Sequence, residues 1–259
     1  MNVKAKKKLG QHFLNDENIV KRIVEAILEE NPKDILEIGP GTGMLSKYLY
    51  NEGIPFKAIE LDKESVSFLA NEYPDMEVVY GDFLKSDLKT LINPDSFIVG
   101  NFPYNISSQI FFKLIENRDK VPVLVGMIQK EVAERISEKE GTKVYGILSV
   151  LLQTYYDIEY LFTVNENVFT PPPKVKSAVV RLKRNKRTSI DCDENLYFRI
   201  IKESFGQRRK MLRSSIKRYL SLIPECRFST QRPEQLSVED FIELTKQVES
   251  AQAKDIEKS

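Results

Sequence analysis

The 259-residue chain has one histidine, His12, and two cysteines, Cys192 and Cys226. A single imidazole excludes His-triad catalysis elsewhere in the chain and leaves too few ligands for a His/Cys metal site, so no metal is expected. The cysteines lie far from any CxxC spacing and read as free thiols in a reducing compartment, not as a disulfide framework. No apolar run is long enough to span a bilayer, so no membrane partner is expected. Residues 1–8 are basic but lead into Leu9-Gly10-Gln11-His12 without the apolar core of a secretory signal, so the expected location is cytoplasmic. What remains is a globular composition, 41% hydrophobic and 30% charged, sufficient for one large domain and one small one.

The formal net charge of +1 hides an asymmetry. Between Lys174 and Arg218 the chain carries 15 Lys/Arg and 4 Asp/Glu, a local excess of +11, which leaves −10 for the remainder. Such a division favours a polyanion, and specifically nucleic acid, over a merely solvated basic helix face.

Patterning predicts alternating elements. Ile19, Val20, Ile23, Val24 and Ile27 share a helical face, with Asn15 or Asp16 as cap and Asn31-Pro32 as stop. Short apolar strands follow at Asp34–Ile38, Ile54–Glu60, Glu77–Tyr80, Phe97–Gly100 and Val121–Ile128, with helical segments between them. This is the signature of βαβ units and a mainly parallel sheet, an α/β fold. Gly146–Tyr155 reads as a buried helix. Tyr156–Thr163 and Ser177–Lys183 read as an antiparallel strand pair at one sheet edge, joined through the stiff Pro171-Pro172-Pro173 segment. Polar residues from Arg184 to Asp193 mark a domain boundary, and helices are expected over Leu196–Phe205, Lys210–Leu220 and Val238–Val248. The domains are thus placed at 1–185 and 186–250, with 251–259 as a disordered polar tail.

Chemistry collects at the strand ends. Glu37-Ile38-Gly39-Pro40-Gly41-Thr42-Gly43 is an ExGxGxG turn after the first strand; a dinucleotide fingerprint would need glycine where Met44 stands. Glu60 ends the second strand, 19 residues after Gly41, where a carboxylate can accept both hydroxyls of a ribose. Asp82 ends the third and could accept from an adenine amine. Asn101-Phe102-Pro103-Tyr104 ends the fourth: Pro103 stops the strand and biases Phe102 toward extended backbone. Polar groups at four strand ends on one rim indicate a ligand site at the carboxyl edge of the sheet.

This ordered set resembles the class I S-adenosylmethionine-dependent methyltransferases, and Asn-x-Pro-Tyr resembles the motif of enzymes that methylate the exocyclic amine of a base. Lys7–Asp16, Asn101–Ser107, Gln129–Val132, Phe169–Val175 and Phe205–Lys210 look like the KsgA family of small-subunit ribosomal RNA adenine dimethyltransferases, a match from about Lys6 to Val248. The resemblance implies a Rossmann-like seven-stranded, mostly parallel sheet with a small C-terminal all-α domain. It implies S-adenosyl-L-methionine as donor, with S-adenosyl-L-homocysteine as product. The implied substrate is a pair of adjacent adenosines in the 3′-terminal hairpin of 16S rRNA, dimethylated at N6 during small-subunit assembly by a monomeric enzyme.

By the same resemblance, His12 and Leu14 lie beside the methionine part of the donor, Gly39 and Gly41 form its turn, Glu60 holds the ribose and Asp82 the adenine. Asn101 stands between donor and target and accepts hydrogen bonds from the target amine. Tyr104 and Phe169 stack on the flipped base. The family often has Asn where His12 stands, so His12 is expected to act through its backbone or ring and not as an acid or base. Phe102, where Leu is frequent, reads as packing. Arg208, Arg209, Lys210 and Arg213, with Lys217 and Arg218, are expected on successive turns of one helix as phosphate ligands. The Lys4–Lys8 cluster is a further phosphate site or a solvated terminus. Alternatives are an Erm-type large-subunit rRNA methyltransferase, a catalytically silent assembly factor on the same fold, and, third, a NAD-dependent dehydrogenase.

Overall fold

In the computed structural model, which describes residues 3–256, strand β1 (Phe13–Leu14) leads into helix α1 (Glu17–Leu28). Asp16 starts that helix: its carboxylate accepts the N–H groups of Asn18 at 2.9 Å and Ile19 at 3.1 Å, donors that a first helical turn leaves unpaired. Val20, Ile23, Val24 and Ile27 are buried on one face, as their spacing predicts.

Strands and helices then alternate. They are β2 (Asp34–Ile38), α2 (Ser46–Leu49), β3 (Phe56–Glu60), α3 (Lys63–Glu72), β4 (Glu77–Tyr80), α4 (Leu88–Leu91) and β5 (Ser96–Asn101). Next come α5 (Ser107–Glu116), β6 (Val123–Gln129), α6 (Lys130–Ser137), α7 (Ile147–Tyr155), β7 (Tyr156–Val164), β8 (Phe169–Thr170) and β9 (Ser177–Arg184). Seven strands form one sheet in the order β4-β3-β2-β5-β6-β9-β7. The pairs β3–β4, β2–β3, β2–β5 and β5–β6 are parallel, and β9 runs antiparallel to β6. The α/β class and mostly parallel sheet are those expected. Ile35, Leu36, Ile98, Val99, Leu124 and Val125 are fully buried, which is why β2, β5 and β6 read as unbroken apolar runs. The winding reverses between β2 and β5, and open α/β sheets bind ligands outside the carboxyl ends at such a point. Gly39 and Asn101 stand there. β1 pairs with β8 as a separate ribbon, Phe13 opposite Thr170 and Leu14 opposite Phe169.

The chain divides into two compact units. One holds the residues up to Ala133 together with Asp157–Arg184; the other holds Glu134–Tyr156 and the residues from Asn185 on. The sequence shows a single boundary near 185, whereas the structure also places α7 with the C-terminal helices. The reason lies in its side chains: Thr154 Oγ1 is 2.7 Å from the Tyr197 hydroxyl, and Tyr155 donates to Glu194 at 2.5 Å.

The second unit contains α8 (Glu194–Gly206), α9 (Leu212–Ser215), α10 (Lys217–Leu220) and α11 (Val238–Ile256). Two expectations are corrected here. The single helix over Lys210–Leu220 is two short ones, broken at Ile216, whose φ of −122° and ψ of 38° leave the helical region. The polar tail is not disordered through 256, because α11 continues to Ile256 over a stretch without Gly or Pro. The rest of the expected tail, 257–259, lies outside the described residues.

Candidate active site

Gly39 and Gly41 have φ of +67° and +60°, left-handed values that glycine adopts without strain. At Gly41 a Cβ would also lie 2.9 Å from the Phe13 ring. The turn therefore runs tightly beneath β1, with its main chain facing a cleft of about 230 Å³.

Glu60 closes one side of this turn. It is only 5% exposed, and its Oε2 accepts the Gly41 N–H at 3.0 Å while Oε1 accepts the Asp62 N–H at 2.8 Å. Burial pushes its pKa up, and the backbone N–H groups pull it back. Each oxygen keeps a further lone pair for a ligand hydroxyl. Glu37 lies deeper, receiving the Ser46 hydroxyl at 2.5 Å; burial pushes its carboxyl up to about 8, with the Glu60 charge adding to the shift. Sequence reasoning assigned Glu37 no role, and its signal was its place at the head of the glycine motif.

Asp82 follows β4. Its Oδ1 accepts the Leu84 N–H at 3.0 Å, and Gly81, Asp82, Phe83 and Leu84 line the cleft.

Asn101 is the last residue of β5, and its Nδ2 donates to the His12 carbonyl at 2.9 Å. The amide is thereby oriented, with Oδ1 left as the acceptor. The His12 ring stacks on Tyr104 with centroids 5.4 Å apart and planes at 26°. His12 Nδ1 donates to the Pro171 carbonyl at 2.7 Å, which places a proton on Nδ1. The Tyr104 hydroxyl is 2.5 Å from Ser177 Oγ, and burial raises its pKa, so the phenol stays neutral. Phe102 is packing, as expected: it is 1% exposed and lies where a Cβ on Gly126 would come within 2.3 Å of its ring.

The residues from Lys8 to Leu14 form one wall of the cleft. Lys6 anchors them, its ammonium 2.5 Å from Asp62 Oδ1 and 2.9 Å from Glu64 Oε1. Of the basic cluster, this lysine is therefore committed to an internal ion pair.

The structure thus brings His12, Leu14, Gly39, Gly41, Glu60, Asp82, Asn101 and Tyr104 to one cleft. Phe169 is placed differently: it is 3% exposed, packs in the core beside Leu14 and does not line the cleft. The ring against Tyr104 is that of His12.

In the helical unit Arg209, Lys210 and Arg213 are exposed. They do not share a helix with Lys217 and Arg218, because α8 ends at Gly206 and the Arg208–Lys210 cations sit in the turn before α9. Arg208 is half-buried and donates to the carbonyls of Tyr145 at 2.9 Å, Thr142 at 3.4 Å and Lys143. Arg218 pairs with Glu203. Among the described residues no group of three or more His, Cys, Asp or Glu could hold a metal, and no helix is long and apolar enough to cross a membrane.

A seven-stranded sheet wound in this order, with a glycine turn after β2 and carboxylates at the ends of β3 and β4, is the arrangement of the class I S-adenosylmethionine-dependent methyltransferases. A family model described as ribosomal RNA adenine dimethylase matches residues 2–255, and the chain belongs to that family. It is 52% identical over 250 residues to the ribosomal RNA small subunit methyltransferase A of Cytophaga hutchinsonii, covering 94% of this chain and 96% of that one. In fold it is similar to a dimethyladenosine transferase from Plasmodium falciparum, with a TM-score of 0.79 at 24% identity over 93% of this chain and 98% of the other. The 23S rRNA methyltransferase ErmE has a TM-score of 0.64 at 24% identity, covering 90% and 99% of the two chains. These two structures show likeness of fold alone. The family sets aside the dehydrogenase alternative.

Proposed function

We propose that this methyltransferase dimethylates N6 of two adjacent adenosines in the 3′-terminal hairpin of 16S rRNA, within an assembling small ribosomal subunit, as a cytoplasmic monomer. The observation that carries the reading is the oriented amide of Asn101, held by His12 at the carboxyl end of β5 with its oxygen available as an acceptor. The 52% identity to a protein named for the small subunit supports the substrate over the Erm-type alternative.

The cleft fits S-adenosylmethionine. Gly39 and Gly41 present main chain without a side chain, Glu60 is a buried carboxylate with lone pairs to spare, and Asp82 sits on the next strand end. Glu60 would hold the ribose hydroxyls, Asp82 the adenine amine, and His12 and Leu14 would flank the methionine part. When bound, the donor supplies a methyl group activated by positive sulfur. The remaining work falls to the chain. An adenine N6 lone pair is delocalised into the ring, so the amine is a poor nucleophile. Asn101 Oδ1 accepts an amine hydrogen, favours a tetrahedral nitrogen and stabilises the positive charge that grows on it. Tyr104 offers a neutral ring for stacking of the extruded base. The exposed cations Arg209, Lys210 and Arg213 bind phosphates without reading sequence.

Mass spectrometry of nucleosides from immature small subunits and from naked large-subunit RNA, each treated with enzyme and donor, tests the proposal. Dimethyladenosine in 16S rRNA is the expected result. Methylation of large-subunit RNA alone would replace it with the Erm-type reading, and no methylation of either RNA would leave a catalytically silent assembly factor.

A further inference from the structure

Lys113, in α5, reaches the loop that follows β4. Its ammonium donates to the carbonyls of Phe83 at 2.6 Å, Leu84 at 3.2 Å and Ser86. An ammonium has three N–H bonds, and here each has a main-chain acceptor. The same nitrogen lies 5.0 Å from the centroid of the Phe83 ring, a residue only 4% exposed. Within the loop, the Asp82 carbonyl accepts the N–H groups of Lys85 and Ser86, both at 3.0 Å, and its Oδ1 accepts that of Leu84 at 3.0 Å. These contacts give the loop its shape, but they span no more than four residues and tie it to nothing else. Lys113 supplies an anchor from about 30 positions away in sequence.

Phe83 and Leu84 line the cleft together with Asp82. The helix that carries Lys113 begins at Ser107, directly after the Asn101–Tyr104 turn. One helix therefore connects the turn assigned to methyl transfer with the loop assigned to the donor.

We propose that Lys113 is a positioning residue for donor binding: by clamping the carbonyls of Phe83, Leu84 and Ser86, it holds Asp82 at the adenine end of the cleft. The inference rests on the assignment of Asp82 to the donor adenine. Lys113 does not line the cleft, and its effect passes through the loop.

The test uses the full chain with Lys113→Met, Lys113→Arg, Asp82→Asn and the Met/Asn double variant. Steady-state kinetics are run with S-adenosylmethionine varied and then with RNA varied, and S-adenosylhomocysteine affinity is measured by calorimetry. Lys113→Met is expected to raise KM for the donor and weaken product binding about tenfold, with kcat and KM for RNA within about twofold of the parent. Lys113→Arg should recover part of the loss, since a guanidinium can donate to several carbonyls. The double variant should bind the product no more weakly than Asp82→Asn alone, because both changes act on one contact. Unchanged donor KM in Lys113→Met, an equal loss in kcat and RNA KM, or additive losses in the double variant would each overturn the clamp. If Lys113→Met does not fold, Lys113→Arg carries the same KM-against-kcat comparison. Asp82→Asn with parental donor affinity would instead overturn the adenine assignment beneath it.

Discussion

The amide of Asn101 and the main-chain carbonyl of His12 are joined at 2.9 Å across 89 positions of sequence. This bond fixes the orientation of the amide at the carboxyl end of β5. With one Nδ2 hydrogen given to His12, Oδ1 stands as the acceptor that the proposed methylation of an amine requires.

Asn101→Asp should be nearly as damaging as Asn101→Ala. Aspartate cannot donate to the His12 carbonyl, so two acceptors would oppose each other and the orientation would be lost. Labelled methyl transfer should fall by about 10²–10³ in kcat for both variants, with donor affinity reduced much less. Retention of full transfer by Asn101→Ala would remove the role assigned to it.

Tyr104 combines a ring, proposed to stack on the base, with a hydroxyl held by Ser177, and two substitutions separate them. Tyr104→Phe keeps the ring and should cost no more than a few-fold in activity. Tyr104→Ala removes a stacking face, a contact worth about 1–3 kcal/mol per base, and should raise KM for RNA by about tenfold or more. Equal behaviour of the two variants would point to the hydroxyl instead.

Glu60 meets two backbone donors with one carboxylate. In Glu60→Gln one of those N–H groups faces the new NH₂, donor against donor, in a buried place. Calorimetric affinity for S-adenosylhomocysteine should fall about tenfold to a hundredfold. The melting temperature of the unliganded protein should fall too.

Glu37 predicts a pH dependence of stability. Its pKa is raised in the fold from the usual 4.5 to about 8. Below pH 4.5 both folded and unfolded chains hold the proton. Between 4.5 and 8 the unfolded chain releases it while the folded chain retains it, so this group's contribution is lost as pH rises toward 8. Glu37→Gln cannot ionise and its carbonyl can still accept from Ser46. Its melting temperature relative to the parent should therefore rise from pH 5 to pH 8 and level off above. A constant difference across that window would show that Glu37 does not titrate there.

Arg208 and Arg209 are adjacent but should fail differently. Arg208→Ala strips donors from the carbonyls of Thr142, Lys143 and Tyr145 and should lower the melting temperature by several degrees. Arg209→Ala and Lys210→Ala remove exposed cations. They should leave the melting temperature in place and reduce the salt dependence of RNA binding by about one counterion each.

The strands of the sheet and the rim of the site were legible because their signals are local. Apolar runs ended by Gly39, Glu60, Asp82 and Asn101-Phe102-Pro103 mark both where strands stop and what chemistry stands there, and α5 follows from the next ten residues. The break at Ile216 was hidden, because an apolar residue at helical spacing looks the same in an intact helix. The continuation of α11 past Ser250 was hidden as well: a polar surface turn of helix has the composition of a tail.

Side chains answering to distant partners were the least legible. Lys6 reads as part of a basic terminus until Asp62 is beside it, 56 positions away. Lys113 reads as a surface lysine until it meets the loop after β4, and Arg208 reads as a phosphate ligand until it caps carbonyls about 63–66 positions upstream. The sequence by itself determined the α/β winding, the glycine turn and the ordered polar strand ends, since strand ends and turns are set by neighbours a few residues apart. Only the tertiary structure decided which cations stay exposed, which ring lies on Tyr104 and which partner the Asn101 amide holds. Each of those depends on a hydrogen bond or ring contact between residues that come together only when the chain is folded.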